Sequence, residues 1–176
     1  MWLVAAAVLC IVIWLGYEYY EHEAVQITEH TIPANGLMAD RALCFCVISD
    51  LHNNKKHCED KLLAKLKNCK PDAFLLCGDM VNKHKADNTA ALHFIKKLTA
   101  IAPVFYSYGN HEMELKADKS EAWEQYISRL PAGCILLDNQ AAELKNLAKN
   151  LLVCGLTLPE CFYGKGALLT NEAWNY

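Results

Sequence analysis

The sequence predicts an α/β domain built on a βαβαβ sheet flanked by helices and preceded by a transmembrane helix. Three observations predict it. Apolar runs of strand length alternate with segments of helical period, short polar clusters end three successive runs, and the first seventeen residues carry no charged side chain.

From Met1 to Tyr17 the chain is uncharged, and Leu3 to Leu15 is almost continuously apolar, flanked by Trp2, Trp14, Tyr17, Tyr19 and Tyr20. Seventeen residues of helix span roughly 25 Å, at the short end for a bilayer core of about 30 Å. No basic start and no small-x-small cleavage site accompany the stretch, so an uncleaved single-pass anchor over 1–20 is expected. The first Arg is Arg41, which leaves the side of the membrane unassigned. Residues 21–41, with Pro33, Asn35 and Gly36, form a connector, and the catalytic-type domain occupies 42–176.

Within that domain, Leu43 to Ser49 reads as a buried strand. Glu59 to Asn68 reads as a helix that places Leu62, Leu63 and Leu66 on one face, and Ala73 to Cys77 as a second strand. Asp87 or Asn88 can cap the next helix, marked by Leu92, Ile95, Leu98 and Ile101; Pro103 then opens the strand Val104 to Tyr108. Asp118 and Glu121 resemble a capping box for a helix carrying Trp123, Ile127 and Leu130, with apolar runs following at Cys134–Leu137 and Leu151–Leu156.

Composition removes several function classes. With 17 basic against 20 acidic residues the net charge is −3, so no nucleic-acid partner is expected. Nine cysteines is an odd number and too sparse for a disulfide scaffold. Cys44, Cys46, Cys77 and Cys154 lie in apolar runs and read as core thiols, and Cys44-x-Cys46 lacks the second half of a zinc knuckle. Gly164-Lys165-Gly166 lacks the spacing of a P-loop.

The chemistry-bearing residues sit at strand ends. Asp50 and His52 follow the first strand, Asp79 the second, and Asn110 and His111 the third. The intervals of 29 and 31 residues each match one strand plus one helix. Parallel strands joined by right-handed crossovers bring all three clusters to one carboxyl edge. Two carboxylates, an imidazole and an amide carbonyl suit a pair of divalent ions such as manganese, iron or zinc. Two ions about 3.5–4 Å apart acidify a shared water and neutralise phosphoryl charge, which accounts for phosphate chemistry without a basic patch.

Ser49-Asp50-Leu51-His52, Gly78-Asp79 and Gly109-Asn110-His111-Glu112, in that order and spacing, resemble the first three motifs of the calcineurin-like metallophosphoesterases. The amino-terminal segment and the Thr28 to Pro33 stretch resemble the membrane-associated branch that includes YkuE-like phosphoesterases and a class of UDP-diacylglucosamine pyrophosphohydrolases. The resemblance implies that the domain is the amino-terminal half of an αββα sandwich and that two divalent ions (Mn, Fe or Zn) serve hydrolysis of a phosphoester, which the anchor suggests is lipid-linked. It also implies that Asp50 and His52 bind the first metal, Asp79 bridges, Asn110 binds the second, and His111, without being a ligand, protonates the leaving group or stabilises the transition state. The family's later metal-binding His and its Gly-His-x-His motif have no counterpart, since none of the seven histidines follows His111. A weakly active fragment is therefore expected, the alternative being a non-catalytic remnant with an incomplete metal site.

Overall fold

The computed structural model describes residues 2–23, 26–34, 39–56, 60–85, 87–118, 121–144, 146–148 and 151–157. The chain divides into two compact units, Met1–Pro33 and Ala34–Tyr176.

The first unit contains helix α1, Trp2–Glu23. The helix runs through 22 residues without a proline and in spite of Gly16, yet no helix among the described residues is long and apolar enough to cross a membrane. The expected transmembrane anchor is therefore not supported. The uncharged stretch stops at Tyr17, and Glu18, Glu21 and Glu23 occupy the last turns of the helix.

The second unit is an α/β domain. Strands β1 (Phe45–Ile48), β2 (Ala73–Cys77), β3 (Val104–Ser107) and β4 (Cys134–Leu136) form one sheet in the order β1-β2-β3-β4, and each neighbouring pair is parallel. Helices α2 (Asp60–Asn68), α3 (Thr89–Thr99), α4 (Asn110–Ala117) and α5 (Glu121–Ser128) lie between the strands in sequence. Strand alternation sends Phe74, Leu76, Val104 and Tyr106 to one face, where they pack with Leu63 and Leu66 of α2, Leu92, Ile95 and Leu98 of α3, and Trp123 and Tyr126 of α5. This is the main core. The periodicity predicts Leu63, Leu66, Leu92, Ile95, Leu98 and Trp123 among these, whereas Tyr126 was not expected and Leu62, Ile101, Ile127 and Leu130 are only partly buried.

On the opposite face an antiparallel pair, β5 (Gln140–Glu143) and β6 (Leu152–Gly155), covers Ala73 and Phe105 through Leu137 and Leu144. Val47 remains 64% exposed and Ile135 41%, so part of this face is bare among the described residues. Cys77 and Cys154 are exposed rather than core thiols, and Cys44 and Cys46 are half-buried. Apolar context predicted strands correctly here, but not which face of the strand is covered.

One of the two residues expected to cap α3 does so: the Asp87 carboxylate accepts from the N–H of Thr89, the first residue of that helix (2.8 Å). Asn88 sits at the start of α3, but its side chain accepts from Asn82 N–H (2.8 Å) and donates to Lys85 C=O (3.2 Å). Asn53, 38 residues upstream, accepts from Ala91 N–H instead (2.9 Å). Helix α4 begins in a segment to which the sequence reading assigns no element, and Asp118 closes it rather than opening α5. The segment Gly164–Gly166 lies outside the described residues.

The start of β1 is fastened by Asp72, whose carboxylate accepts from the Arg41 guanidinium and from Cys44 N–H (2.8 Å). Hydrogen bonding from Arg41 holds the Asp72 carboxyl below its ordinary pKa. A carboxyl depressed in the folded state stabilises the fold above its unfolded pKa and loses that contribution as pH falls through the folded value. Asp72→Asn should therefore lower the urea midpoint at pH 7, and the difference from the parent chain should shrink below the usual carboxylate range.

Candidate metal centre

Each polar cluster lies immediately beyond a strand of the parallel sheet, so all three share its carboxyl edge, as the intervals predict. The chain leaves β1 and β2 through left-handed turns. Asp50 (φ 55°), His52 (φ 47°) and Asp79 (φ 54°) all adopt a conformation that costs a non-glycine residue about 1–3 kcal/mol. Backbone bonds between the two loops impose it: Asp50 N–H donates to Gly78 C=O (3.2 Å), His52 N–H to Asp79 C=O (2.8 Å) and Asn53 N–H to Met80 C=O (2.8 Å). Three strained residues at three expected site positions mark where the fold trades stability for placement.

The loops after β2 and β3 are joined by Glu112, which is fully buried. Its Oε1 accepts from Met80 N–H (2.8 Å), Val81 N–H (3.1 Å) and the Tyr106 hydroxyl (2.6 Å). Its Oε2 accepts from Asp79 N–H (2.8 Å) and Gly109 N–H (2.9 Å). Five donors compensate the desolvation of one carboxylate, and removing it would strand four backbone N–H groups. Burial beside Tyr126 and Glu112 keeps the Tyr106 hydroxyl protonated well above its ordinary pKa, consistent with its role as donor.

Two glycines allow the loops to touch. Gly78 has φ +85°, and a Cβ there would collide with the Gly109 backbone; a Cβ on Gly109 would lie 2.6 Å from Asp79 N and closer still to Asp79 Oδ1.

Within this frame the side chains converge. His52, Asp79 and His111 offer ligand atoms that all lie within 4.8 Å of one another, the group among the described residues that could hold a metal ion. Asp79 Oδ1 accepts from His111 N–H in the first turn of α4 (2.9 Å). His52 Nε2 lies 3.7 Å from Asp50 Oδ1, and the His52 and His111 rings are 4.5 Å apart. The Asn110 amide meets the Asp79 carboxylate at 2.7 and 3.3 Å. All five residues singled out from the sequence thus gather at one place: Asp50, His52, Asp79, Asn110 and His111.

With its amide nitrogen turned toward Asp79, Asn110 donates to both carboxylate oxygens and holds that side chain in place. One feature of this geometry fits a cation. His52 Nδ1 is buried without a hydrogen-bond partner, leaving a lone pair or a proton uncompensated. Oxygen and imidazole donors together suit divalent manganese, iron or zinc.

Three supports lie outside the residues that the sequence singled out. Glu112 stands at the third position of α4, where a carboxylate can reach back to the Gly109 N–H, and that spacing was the available signal. Lys83 N–H donates to His111 Nδ1 (3.1 Å), a backbone contact with no sequence signature. His84 stands edge-on to His111, with ring centroids 6.1 Å apart.

The family model for calcineurin-like phosphoesterases matches residues 45–166. The chain belongs to this family. It is thus in general terms a phosphoester hydrolase, and divalent metal is the cofactor that its candidate site suggests. No curated protein matches the chain.

In this phosphoesterase, Gly109→Ala should push the Asp79 carboxylate out of place while leaving the core intact. Titration calorimetry with Mn²⁺ should show affinity reduced at least about tenfold, with an unchanged far-ultraviolet circular dichroism spectrum. Unchanged affinity would contradict the placement of Asp79.

Proposed function

We propose that the protein hydrolyses a phosphodiester, pyrophosphate or phosphomonoester bond at a centre of two divalent ions (Mn, Fe or Zn). The observation that carries this is the convergence of His52, Asp79 and His111, whose ligand atoms all lie within 4.8 Å of one another at the edge that three parallel strands share. In this reading Asp50, His52, Asp79 and Asn110 would hold the ions, which would supply an acidified water and neutralise charge on the phosphoryl oxygens.

His111 donates a hydrogen bond that stabilises the transition state. Its Nδ1 accepts from Lys83 N–H, so in the neutral ring the proton resides on Nε2. An Nε2–H is a donor aimed at developing charge and not a free ligand atom, which supports this role even though the position of His111 also makes it eligible to bind metal.

The substrate reading is a small or lipid-linked phosphoester rather than a nucleic acid. The net charge of −3 provides no groove for a polyanion. Attachment to a membrane, as in the YkuE-like branch, is the finer reading that α1 supports, since its large apolar side chains from Val8 to Leu15 are exposed. A second reading is a remnant that binds one ion without turnover, since the group His52, Asp79 and His111 by itself suits a single ion.

Metal content and bis-p-nitrophenyl phosphate hydrolysis in added Mn²⁺ separate these readings. Slow turnover is expected from the chain. Asp79→Asn should lose both bound metal and turnover, whereas His111→Asn should keep its metal and lose roughly 10²–10³-fold in kcat. One ion per chain with no turnover would favour the remnant, and full turnover in Asp79→Asn would overturn the hydrolase centre.

A further inference from the structure

The loop that leaves β2 is more ordered than its exposure suggests. From Asp79 to Lys85 every backbone N–H is hydrogen-bonded. Those of Asp79, Met80 and Val81 donate to Glu112, and that of Asn82 to Asn88 Oδ1 (2.8 Å). Lys83 N–H donates to His111 Nδ1 (3.1 Å), His84 N–H to Asn82 Oδ1 (3.0 Å) and Lys85 N–H to Asn82 C=O (3.0 Å). The buried Asn88 closes the turn by donating to Lys85 C=O (3.2 Å). A solvated loop can leave such groups to water; this one satisfies each of them within the fold.

The side chain that this fixed turn displays is His84. It is exposed, its ring stands edge-on to that of His111 with centroids 6.1 Å apart, and among the described residues neither of its ring nitrogens makes a hydrogen bond. His84 does not belong to the ligand group of His52, Asp79 and His111. Its neighbour Lys83 is already paired with Glu114, whereas Lys85 on its other side is exposed.

We propose that His84 is a specificity-determining residue, which contacts the part of the substrate beyond the phosphoryl group at the metal centre and selects an anionic substituent there, such as a second phosphoryl group. This role rests on the hydrolase reading above and narrows its substrate class. Standing one ring beyond His111 and outside the ligand group, His84 meets what is attached to the phosphoryl group rather than the ions. An imidazole offers at least one N–H in every protonation state, and its bond to an anionic oxygen is stronger than one to a neutral acceptor. The turn is ordered before the substrate arrives, so little freedom is lost when that bond forms.

Calorimetric titration of the Zn²⁺-loaded full chain with methylphosphonate and with methylenediphosphonate reads this contact without turnover. The parent chain should favour the diphosphonate. His84→Ala should cut that preference about tenfold, the value of one hydrogen bond to a charged group, with bound Zn²⁺ unchanged, and His84→Gln, which keeps a donor, should restore part of it. In proton–nitrogen spectra of the unsubstituted chain the His84 imidazole signals should shift on addition of the diphosphonate, which decides the matter even if a variant fails to fold. Undiminished preference in His84→Ala, or His84 signals that do not move, would overturn this role and leave the hydrolase reading standing. A chain that takes up no Zn²⁺ would overturn the hydrolase reading and this role with it.

Discussion

A carboxylate without solvent contact, Glu112, holds the Asp79, Met80 and Val81 amides of one loop and the Gly109 amide of the next. An isolated buried charge is costly, so this arrangement persists only when every donor is in place, and it therefore specifies the loop conformation as well as supporting it. The Tyr106 hydroxyl adds a fifth donor from inside β3, and Tyr126 of α5 donates to Tyr106 in turn (3.3 Å). The clamp thus couples the main core to the carboxyl edge. The left-handed conformations of Asp50, His52 and Asp79 are tolerated because the loop after β1 is bonded to the loop that Glu112 fixes.

This dependence explains what the residues of the site have in common. Asp79 is held at its own amide by Glu112, at its carbonyl by His52 N–H and at its carboxylate by His111 N–H. A residue whose backbone is held at both polar atoms and whose carboxylate is held at one oxygen is fixed in place, which is the preorganisation that ion binding and phosphoryl chemistry require. Gly78 and Gly109 permit the close approach, and the backbone N–H of Lys83 selects the tautomer of His111. Family membership supplies the class of reaction; these contacts show how this chain would carry it.

The parallel sheet and the gathering of Asp50, His52, Asp79, Asn110 and His111 at its edge were legible in the sequence, because strand and helix lengths alone fix the intervals between the clusters. The supports were less legible. Asn53 bonding Ala91, and Lys83 bonding His111, join residues whose partners are decided by tertiary folding and leave no periodic trace. Helix α4 was missed because its eight residues carry little apolar pattern and its start coincides with a functional cluster. The apolar first segment was legible as a helix, but not as a span. For the cysteines, hydrophobic context identified strands, whereas exposure at Cys77 and Cys154 depends on which face β5 and β6 cover.

The central claim is that one buried carboxylate organises both loops of the metal centre. Amide hydrogen exchange on the chain and on Glu112→Gln, measured with Mn²⁺ affinity on the same samples, tests it most directly. The account predicts that Asp79, Met80, Val81 and Gly109 lose protection together, that the interior of β2 keeps its protection, and that ion affinity falls in parallel. Unchanged protection at those four amides, or their loss with no change in affinity, would contradict it.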